Sequence, residues 1–402
     1  MACGMLAMQK AGIKVDTYTA YEIDKYAIKT ATHNFPMIKE CGDVFSADFT
    51  QYKDVDYIIG GSPCTYWSIA QKNNRETEAS GLGWELFSQY ARALNDVKPK
   101  FFIYENNKSM SNAIRESITK TFGFEPICIN SALVSAQNRN RLYWVGKRND
   151  DGTYSKVDVK QPEDCGIFLK DILDGETDRE KGRAVIGSTG RTTTREYFIK
   201  SQGNMVFEPV GQTKDNKSYC LTAGYVNGSG ENIGNYAAHT LEKGCKSMVA
   251  EPVIDTIRVG SLPRPNGELS TSQAMRIYST EGKSVNLVSG GGGMGGKTGL
   301  CAIPVEFENN IPIKAINCAD GKTYTVYEVK NGFITIKSKE YPIKLNDGYY
   351  IIRKLTVSEC KRLQTVPEWY ELPVSDTQAY KMLGNGWTVD VIAHLIEATL
   401  NT

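Results

Sequence analysis

Cys64 follows an apolar run at 55–59 through Gly60, Gly61, Ser62 and Pro63, so a thiol stands on a stiff turn at the end of what reads as a buried strand. Pro63 fixes its own φ and biases Ser62 toward extended geometry, while the two glycines allow close backbone approach. Such a turn points the thiol outward at a defined angle, where an open α/β sheet binds ligands; a buried cysteine acting as a small hydrophobe is the plainer reading. A second apolar run, 101–104, is followed by Glu105, Asn106 and Asn107, which places a carboxylate just beyond a strand in a position parallel to that of Cys64. Gln137, Arg139 and Arg141 alternate ahead of Leu142, Tyr143, Trp144 and Val145, and a period of two sets all three on one strand face. Arginines so placed usually meet solvent. Together with a strand-end cysteine and a strand-end glutamate in this order, they form a specific constellation.

Two acidic pairs precede it. Glu22-Ile23-Asp24 ends the run 17–21, where a carboxylate can accept from ribose hydroxyls at the mouth of a doubly wound sheet; acids there also cap helices, and Asp24 suits that role. Asp43, between Gly42 and Val44, can accept from an adenine amino group in a nucleoside pocket, or simply make a turn.

The elements that must position these residues alternate. Strand-like runs at 17–21, 55–59, 101–104, 126–129 and 142–145 are interleaved with helical periodicity at 5–11, 25–34, 83–97 and 112–122, the pattern of a parallel sheet flanked by helices. From about 150 to 351 the texture turns to Gly, Thr, Ser, Asn and Lys with turn signals such as Asn331-Gly332 and Asp347-Gly348, a β- and loop-rich insertion. Helical patterning returns at 356–364 and 388–400, so residues 352–402 rejoin the region 1–149. Inside the insertion Lys217-Ser218 and Lys283-Ser284 are followed at equal spacing by Leu221 and Leu287, then Gly224 and Gly290, an echo of two similar turns that chance produces as readily. Residues 291–298 satisfy the phosphate-loop pattern, but Gly299-Leu300-Cys301-Ala302-Ile303-Pro304 cannot begin the helix that pattern needs.

Composition bounds the class. The 402 residues, 41% hydrophobic and 23% charged, are those of a globular chain able to bury a real core. Ten scattered cysteines without a C-x-x-C pair and three distant histidines suggest neither a disulfide framework nor a metal site. With no bilayer-length apolar stretch and no signal segment the expectation is a cytoplasmic protein. A formal net charge of +1 leaves any nucleic-acid surface to local clusters of basic residues.

With these residues in view, the chain resembles the DNA cytosine-5 methyltransferases, including the phage and bacterial enzymes. The matching stretches are Glu22-Ile23-Asp24, Gly42-Asp43-Val44, Gly61-Ser62-Pro63-Cys64, 83–87, Glu105-Asn106-Asn107 and Gln137-Asn138-Arg139-Asn140-Arg141; near the end come Arg353-Lys354-Leu355-Thr356, 359–364 and Gly384-Asn385-Gly386. Asn107 stands where valine is commoner.

The resemblance implies an α/β, Rossmann-like S-adenosylmethionine-dependent sheet interrupted by a target-recognition domain, acting on a cytosine flipped out of double-stranded DNA. It implies Cys64 as nucleophile, Glu105 as the acid at ring nitrogen 3, and Arg139 and Arg141 on the cytosine carbonyl and the cysteine loop. Cys3, Gly4, Glu22, Ile23, Asp43, Val44, Pro63, Leu86 and Asn385 would surround the S-adenosylmethionine. DNA contacts would come from among Arg183, Arg191, Arg195, Lys200, Lys214 and Lys217. A monomer is expected, with a cognate restriction endonuclease as companion and no membrane. Family members begin with a strand ending in Phe-x-Gly before the segment matched by Met1-Ala2-Cys3-Gly4; the expectation is therefore a start downstream of the native one, with apolar faces exposed and cofactor binding weakened. An RNA-directed branch acting on transfer RNA and a truncated, inactive DNA-binding protein are the rival readings. The long insertion favours duplex DNA.

Overall fold

A computed structural model describes residues 1–68, 75–173, 205–206, 256–264, 266–270, 276–278, 280, 282–285, 300–305, 315–317, 323–336 and 338–402. The first part is layered α/β. Helix α1 (Cys3–Lys10) leads to β1 (Thr19–Ala20), α2 (Lys25–Asn34) and β2 (Lys39–Glu40); then come β3 (Tyr57–Gly60), α3 (Gly81–Val97), β4 (Phe101–Asn107), α4 (Asn112–Phe122), β5 (Ile127–Asn130), β6 (Asn140–Arg148) and β7 (Tyr154–Lys156). The helix starts follow local chemistry. Asp24 accepts from Tyr26 N and Ala27 N to cap α2, and Ser111 caps α4, which ends on Gly123 at φ 85°.

The main sheet runs β3-β4-β6-β5 with β7 on β6; β1 and β2 pair parallel as a separate two-stranded sheet. Only β3·β4 is parallel in the main sheet, whereas β4·β6, β5·β6 and β6·β7 are antiparallel, which corrects the all-parallel expectation. The link 131–139 holds only a short 3₁₀ turn and is too short for a crossover helix, so β6 must return beside β5. Strand β4 also runs three residues past the expected end, so Glu105 lies within it rather than beyond it. Every residue of β3, at one edge of the main sheet, is half-buried, while β4 is buried from Phe102 onward.

Alternation assigns the two faces of the sheet. Phe102, Tyr104, Leu142 and Trp144 pack with Phe87, Leu94, Ile114, Ile118 and Phe122 of α3 and α4. Ile103, Tyr143 and Val145 face the other way, onto α1 and three closing helices, α5 (Val357–Leu363), α6 (Asp376–Asn385) and α7 (Val389–Leu400). Each fully buried Ile or Phe contributes roughly 1.5–3 kcal/mol by area. Helix α5 opens with a reciprocal cap, Glu359 N to Thr356 Oγ1 at 3.0 Å and Thr356 N to Glu359 Oε2 at 2.7 Å. Helix α6 was not legible beforehand: its mean pattern is polar, and it is held by Tyr380, Met382 and Leu383.

The inserted region forms a second sheet in the order β15-β14-β13-β16-β11-β10-β9, with β12 on β13 and β8 on β11. Its strands are β8 (Met205–Val206), β9 (Arg258–Ser261), β10 (Arg276–Tyr278), β11 (Leu300–Val305), β12 (Ala315–Asn317), β13 (Thr323–Lys330), β14 (Phe333–Ile336), β15 (Lys339–Pro342) and β16 (Gly348–Lys354). It has its own core, with Val259, Leu262, Val329, Ile334 and Ile343 at its centre. The Asn331-Gly332 signal is a tight hairpin turn at φ 53° and 75°. The six basic candidates for DNA contact, the phosphate-loop-like stretch 291–298 and the first half of the internal echo lie outside the described residues. Among the described residues no helix is long and apolar enough to cross a membrane.

Candidate active site

The site gathers at the carboxyl ends of β3 and β4. Cys64 is the first residue of the 3₁₀ turn Cys64–Tyr66, four residues after β3. Behind it, Gly61 touches Glu105 so closely that a Cβ there would lie 2.5 Å from the Glu105 carbonyl oxygen and 3.2 Å from Oε2. The turn is tied to β4 by a buried polar knot. Ser62 Oγ meets the Tyr104 hydroxyl at 2.7 Å, and Asn106 Nδ2 donates to Ser62 O at 3.1 Å and Ser62 Oγ at 3.2 Å. Burial pushes the Tyr104 phenol up, so it remains a neutral hydrogen-bonding group. Strand spacing had not revealed this knot, because Tyr104 and Asn106 read as one more alternation.

Glu105 is held from two sides. Antiparallel register places Arg141 opposite Asn107, two residues from Glu105 on the same face, and Arg141 Nε lies 2.9 Å from Glu105 Oε1 with side-chain exposures of 8% and 11%. That N–H has no acceptor in line, so charge and proximity hold the pair more than an aligned hydrogen bond. Trp387 Nε1 donates to Glu105 Oε2 at 3.0 Å. Sequence reasoning missed Trp387; its signal was an indole directly after Gly384-Asn385-Gly386, where a half-buried N–H needs a partner.

The expected trio is buried, not solvent-facing: Gln137 is 0%, Arg139 4% and Arg141 7% exposed. Only Arg141 lies inside β6. Arg139 donates from Nη1 to Gly384 O at 3.3 Å and from Nη2 to Gly386 O at 2.8 Å, and Gln137 Nε2 donates to Leu363 O at 3.0 Å. Gln137 and Arg139 thus weld the approach to β6 to the closing segment, 245 residues away in sequence for Arg139 and Gly384.

The expected cofactor residues stand at several places in the fold. Glu22 follows β1, its Oε1 accepting from Ile23 N and Asp24 N, each at 2.9 Å. Asp43 follows β2 and caps a 3₁₀ turn through Phe45 N. Ile23 is 76% exposed and Phe45 45%. Gly4 lies under the Tyr18 hydroxyl and Trp387, and Gly386 against Met1 and Cys3; burial pushes the Cys3 thiol up. Pro63 and Asn385 are exposed and Leu86 half-buried. Among the described residues no cluster of His, Cys, Asp or Glu could hold a metal ion.

Comparison with known proteins accords with this arrangement. Residues 2–401 match the family model for C-5 cytosine-specific DNA methylases. The chain is similar to the orphan methyltransferase M.SPRI of Bacillus phage SPR, 23% identical over 98% of this chain and 94% of the relative. It is similar to the type II methyltransferase M.HhaI of Haemophilus parahaemolyticus, 23% identical over 98% and 91%. The orphan methyltransferase M.Rho11sI of Bacillus phage rho11s is 26% identical over 81% of this chain and 65% of its own length. The fold is similar to that of the Entamoeba histolytica methyltransferase EhMeth, with a TM-score of 0.52 at 12% identity, covering 99% of this chain and 95% of that one. A cysteine turn backed on a clamped glutamate in a mixed α/β sheet, with a family match that spans nearly every residue, places the chain in the C-5 cytosine-specific DNA methylase family and makes it a DNA (cytosine-5)-methyltransferase.

Proposed function

We propose that this chain methylates carbon 5 of a cytosine flipped out of duplex DNA, through a transient bond from Cys64. The observation that carries the reading is the contact of the Cys64 turn with Glu105, itself clamped by Arg141 and Trp387. Carbon 5 of cytosine is a poor nucleophile. Addition of the Cys64 thiolate at carbon 6, with Glu105 hydrogen-bonded to ring nitrogen 3, makes carbon 5 an enamine carbon. S-adenosylmethionine, when bound, would supply the methyl group as a sulfonium electrophile, the carbon–sulfur electron pair leaving with the thioether S-adenosylhomocysteine. A base then removes the carbon-5 proton, and the returning electron pair expels Cys64 as thiolate.

Glu22 would hold the ribose, Asp43 the adenine amino group, Ile23 and Val44 the adenine faces, and Pro63, Leu86 and Asn385 the methionine portion, with Cys3 and Gly4 beneath. Arg141 sits beside Glu105, where it can reach the cytosine carbonyl. Arg139 acts through the Gly384–Gly386 backbone. Residues 150–351 form the target-recognition domain, whose contacts with DNA repay roughly a few kcal/mol of unstacking, between catalytic segments 1–149 and 352–402. The chain would work in the cytoplasm as a monomer.

Labelled-methyl transfer to duplex DNA and to transfer RNA, with Cys64→Ser as control, tests the reading. Transfer to duplex DNA alone, lost in Cys64→Ser, and a stable adduct with 5-fluorocytosine duplex are expected. Transfer to RNA only would overturn the substrate, and active Cys64→Ser the mechanism.

A further inference from the structure

Lys283 is the most deeply buried cation among the described residues that the chemistry above does not use. It is 0% exposed. Its Nζ donates to Ser135 O at 3.1 Å and to Ile167 O, lies 5.5 Å from the Phe168 ring centroid, and has its nearest carboxylate, Asp164 Oδ1, at 3.9 Å. An ammonium in such a place costs several kcal/mol of desolvation, and burial pulls its proton affinity down. Packing alone would be served as well by a methionine.

What the ammonium joins is informative. Lys283 belongs to the inserted region, whereas Ser135 belongs to the segment that leads into β6 and carries Gln137, Arg139 and Arg141. The neighbouring backbone does the same: Ser284 N donates to Ala136 O, Asn138 N donates to Ser284 O at 2.8 Å, and Gln137 and Ser284 form a parallel bridge. On the other flank Leu169 N donates to Gly282 O at 2.9 Å and Lys170 N to Thr280 O at 2.7 Å. From Gln137 and Arg139 the contacts continue to Leu363, Gly384 and Gly386, and from Trp387 to Glu105.

We propose that Lys283 is a positioning residue for methyl transfer: its ammonium pins the inserted segment 280–285 to the residues leading into β6, so that engagement of target DNA by the insertion fixes Arg139, Arg141 and Glu105. The proposal rests on the catalytic reading above. Loss of the ammonium lowers turnover at assembled sites without weakening substrate binding in proportion.

The test compares full-length wild type, Lys283→Met and Ile334→Ala, the last placed in the insertion's separate core. Active sites are counted by adduct formation with 5-fluorocytosine duplex, and kcat and KM are measured for duplex and for S-adenosylmethionine. Lys283→Met should lose at least ten-fold in kcat per active site with each KM within three-fold, whereas Ile334→Ala should lose thermal stability and keep kcat. Wild-type kcat in Lys283→Met, or an equal fall in Ile334→Ala, overturns the proposal. Should Lys283→Met not fold, hydrogen exchange on wild type decides: amides of 282–285 and 137–141 gain protection together on adding target duplex, and independent responses overturn it. If wild type itself forms no adduct and transfers no methyl, the catalytic reading fails first.

Discussion

Gly61→Ala offers a sharp perturbation of the site. The glycine is not at positive φ, so the cost of a side chain there is one of space. The new Cβ would sit 2.5 Å from the Glu105 carbonyl oxygen, where ordinary contact begins at 3.4 Å, and 3.2 Å from Oε2. About 0.9 Å must therefore be found, and the obstacle is β4 backbone in the middle of a sheet, which cannot swing aside as a side chain does. Either the cysteine turn lifts or Glu105 shifts. Overpacking of this kind costs about 1–3 kcal/mol of stability, but a displacement near 1 Å between nucleophile and acid costs about 100-fold in rate. The expected result is a kcat about 100-fold down in single-turnover methyl transfer, with a urea midpoint only modestly lowered. Gly60→Ala is the control: its Cβ would press the Tyr90 ring at 2.8 Å, destabilising the α3 side of the sheet while leaving kcat per folded molecule near wild type. Wild-type kcat in Gly61→Ala, or equal losses in both variants, would refute the reasoning that this contact sets the geometry.

Arg141→Met leaves Glu105 buried without its cation; removing one member of so buried a pair costs about 3–5 kcal/mol, read by urea unfolding, and Arg141→Lys, which keeps the charge, should recover part of that loss. Ser62→Ala strips a partner from the Tyr104 hydroxyl and from Asn106 at once and should cost about 1–3 kcal/mol, with turnover falling more than the affinity for S-adenosylmethionine. Asp24→Ala removes a helix cap and the 2.6 Å pair with Lys381, a loss of about 1 kcal/mol for the cap. The Lys381 ammonium, with the capped amides, holds the Asp24 carboxyl below its ordinary range. Its contribution is therefore whole above the unfolded aspartate pKa and fades as pH falls through the lower folded value, so the stability gap between wild type and Asp24→Ala should be constant from pH 7 to 5 and close only in stronger acid. A gap that widened on acidification would contradict the assignment.

The surroundings of the candidate site were legible where a local pattern was enough. Cys64 after a glycine-proline turn, Glu105 after an aromatic strand and the Gln137, Arg139, Arg141 alternation are local patterns, and Asp24 as a cap needs only the next turn of helix. Strand direction was not legible in the same way, because β5 and β6 carry the same apolar residues whether parallel or antiparallel; the decisive fact was the length of the 131–139 link. Nor could local pattern show that Arg139 ends on Gly384 and Gly386 or that Trp387 reaches Glu105, since partners more than two hundred residues away leave no mark on local periodicity. Lys283 was visible only as half of a glycine-loop echo; its complete burial is a tertiary fact.

These distant contacts tie the closing segment to the candidate site as well as to the core. Gln364 Nε2 donates to Leu383 O at 2.6 Å and its Oε1 accepts from Thr388 Oγ1 at 2.9 Å, while Thr388 Oγ1 also meets Ser131 Oγ at 2.8 Å. Ser131 opens the link that ends in Arg139. A single buried polar network thus passes from α5 through the start of α7 to the link before β6, and each member is hydrogen-bonded by another. In a low-dielectric interior such a network is stiff when complete and costly when broken. The arginine that pairs with Glu105 and the indole that donates to it are therefore set by one rigid frame, assembled from both ends of the chain around the insertion.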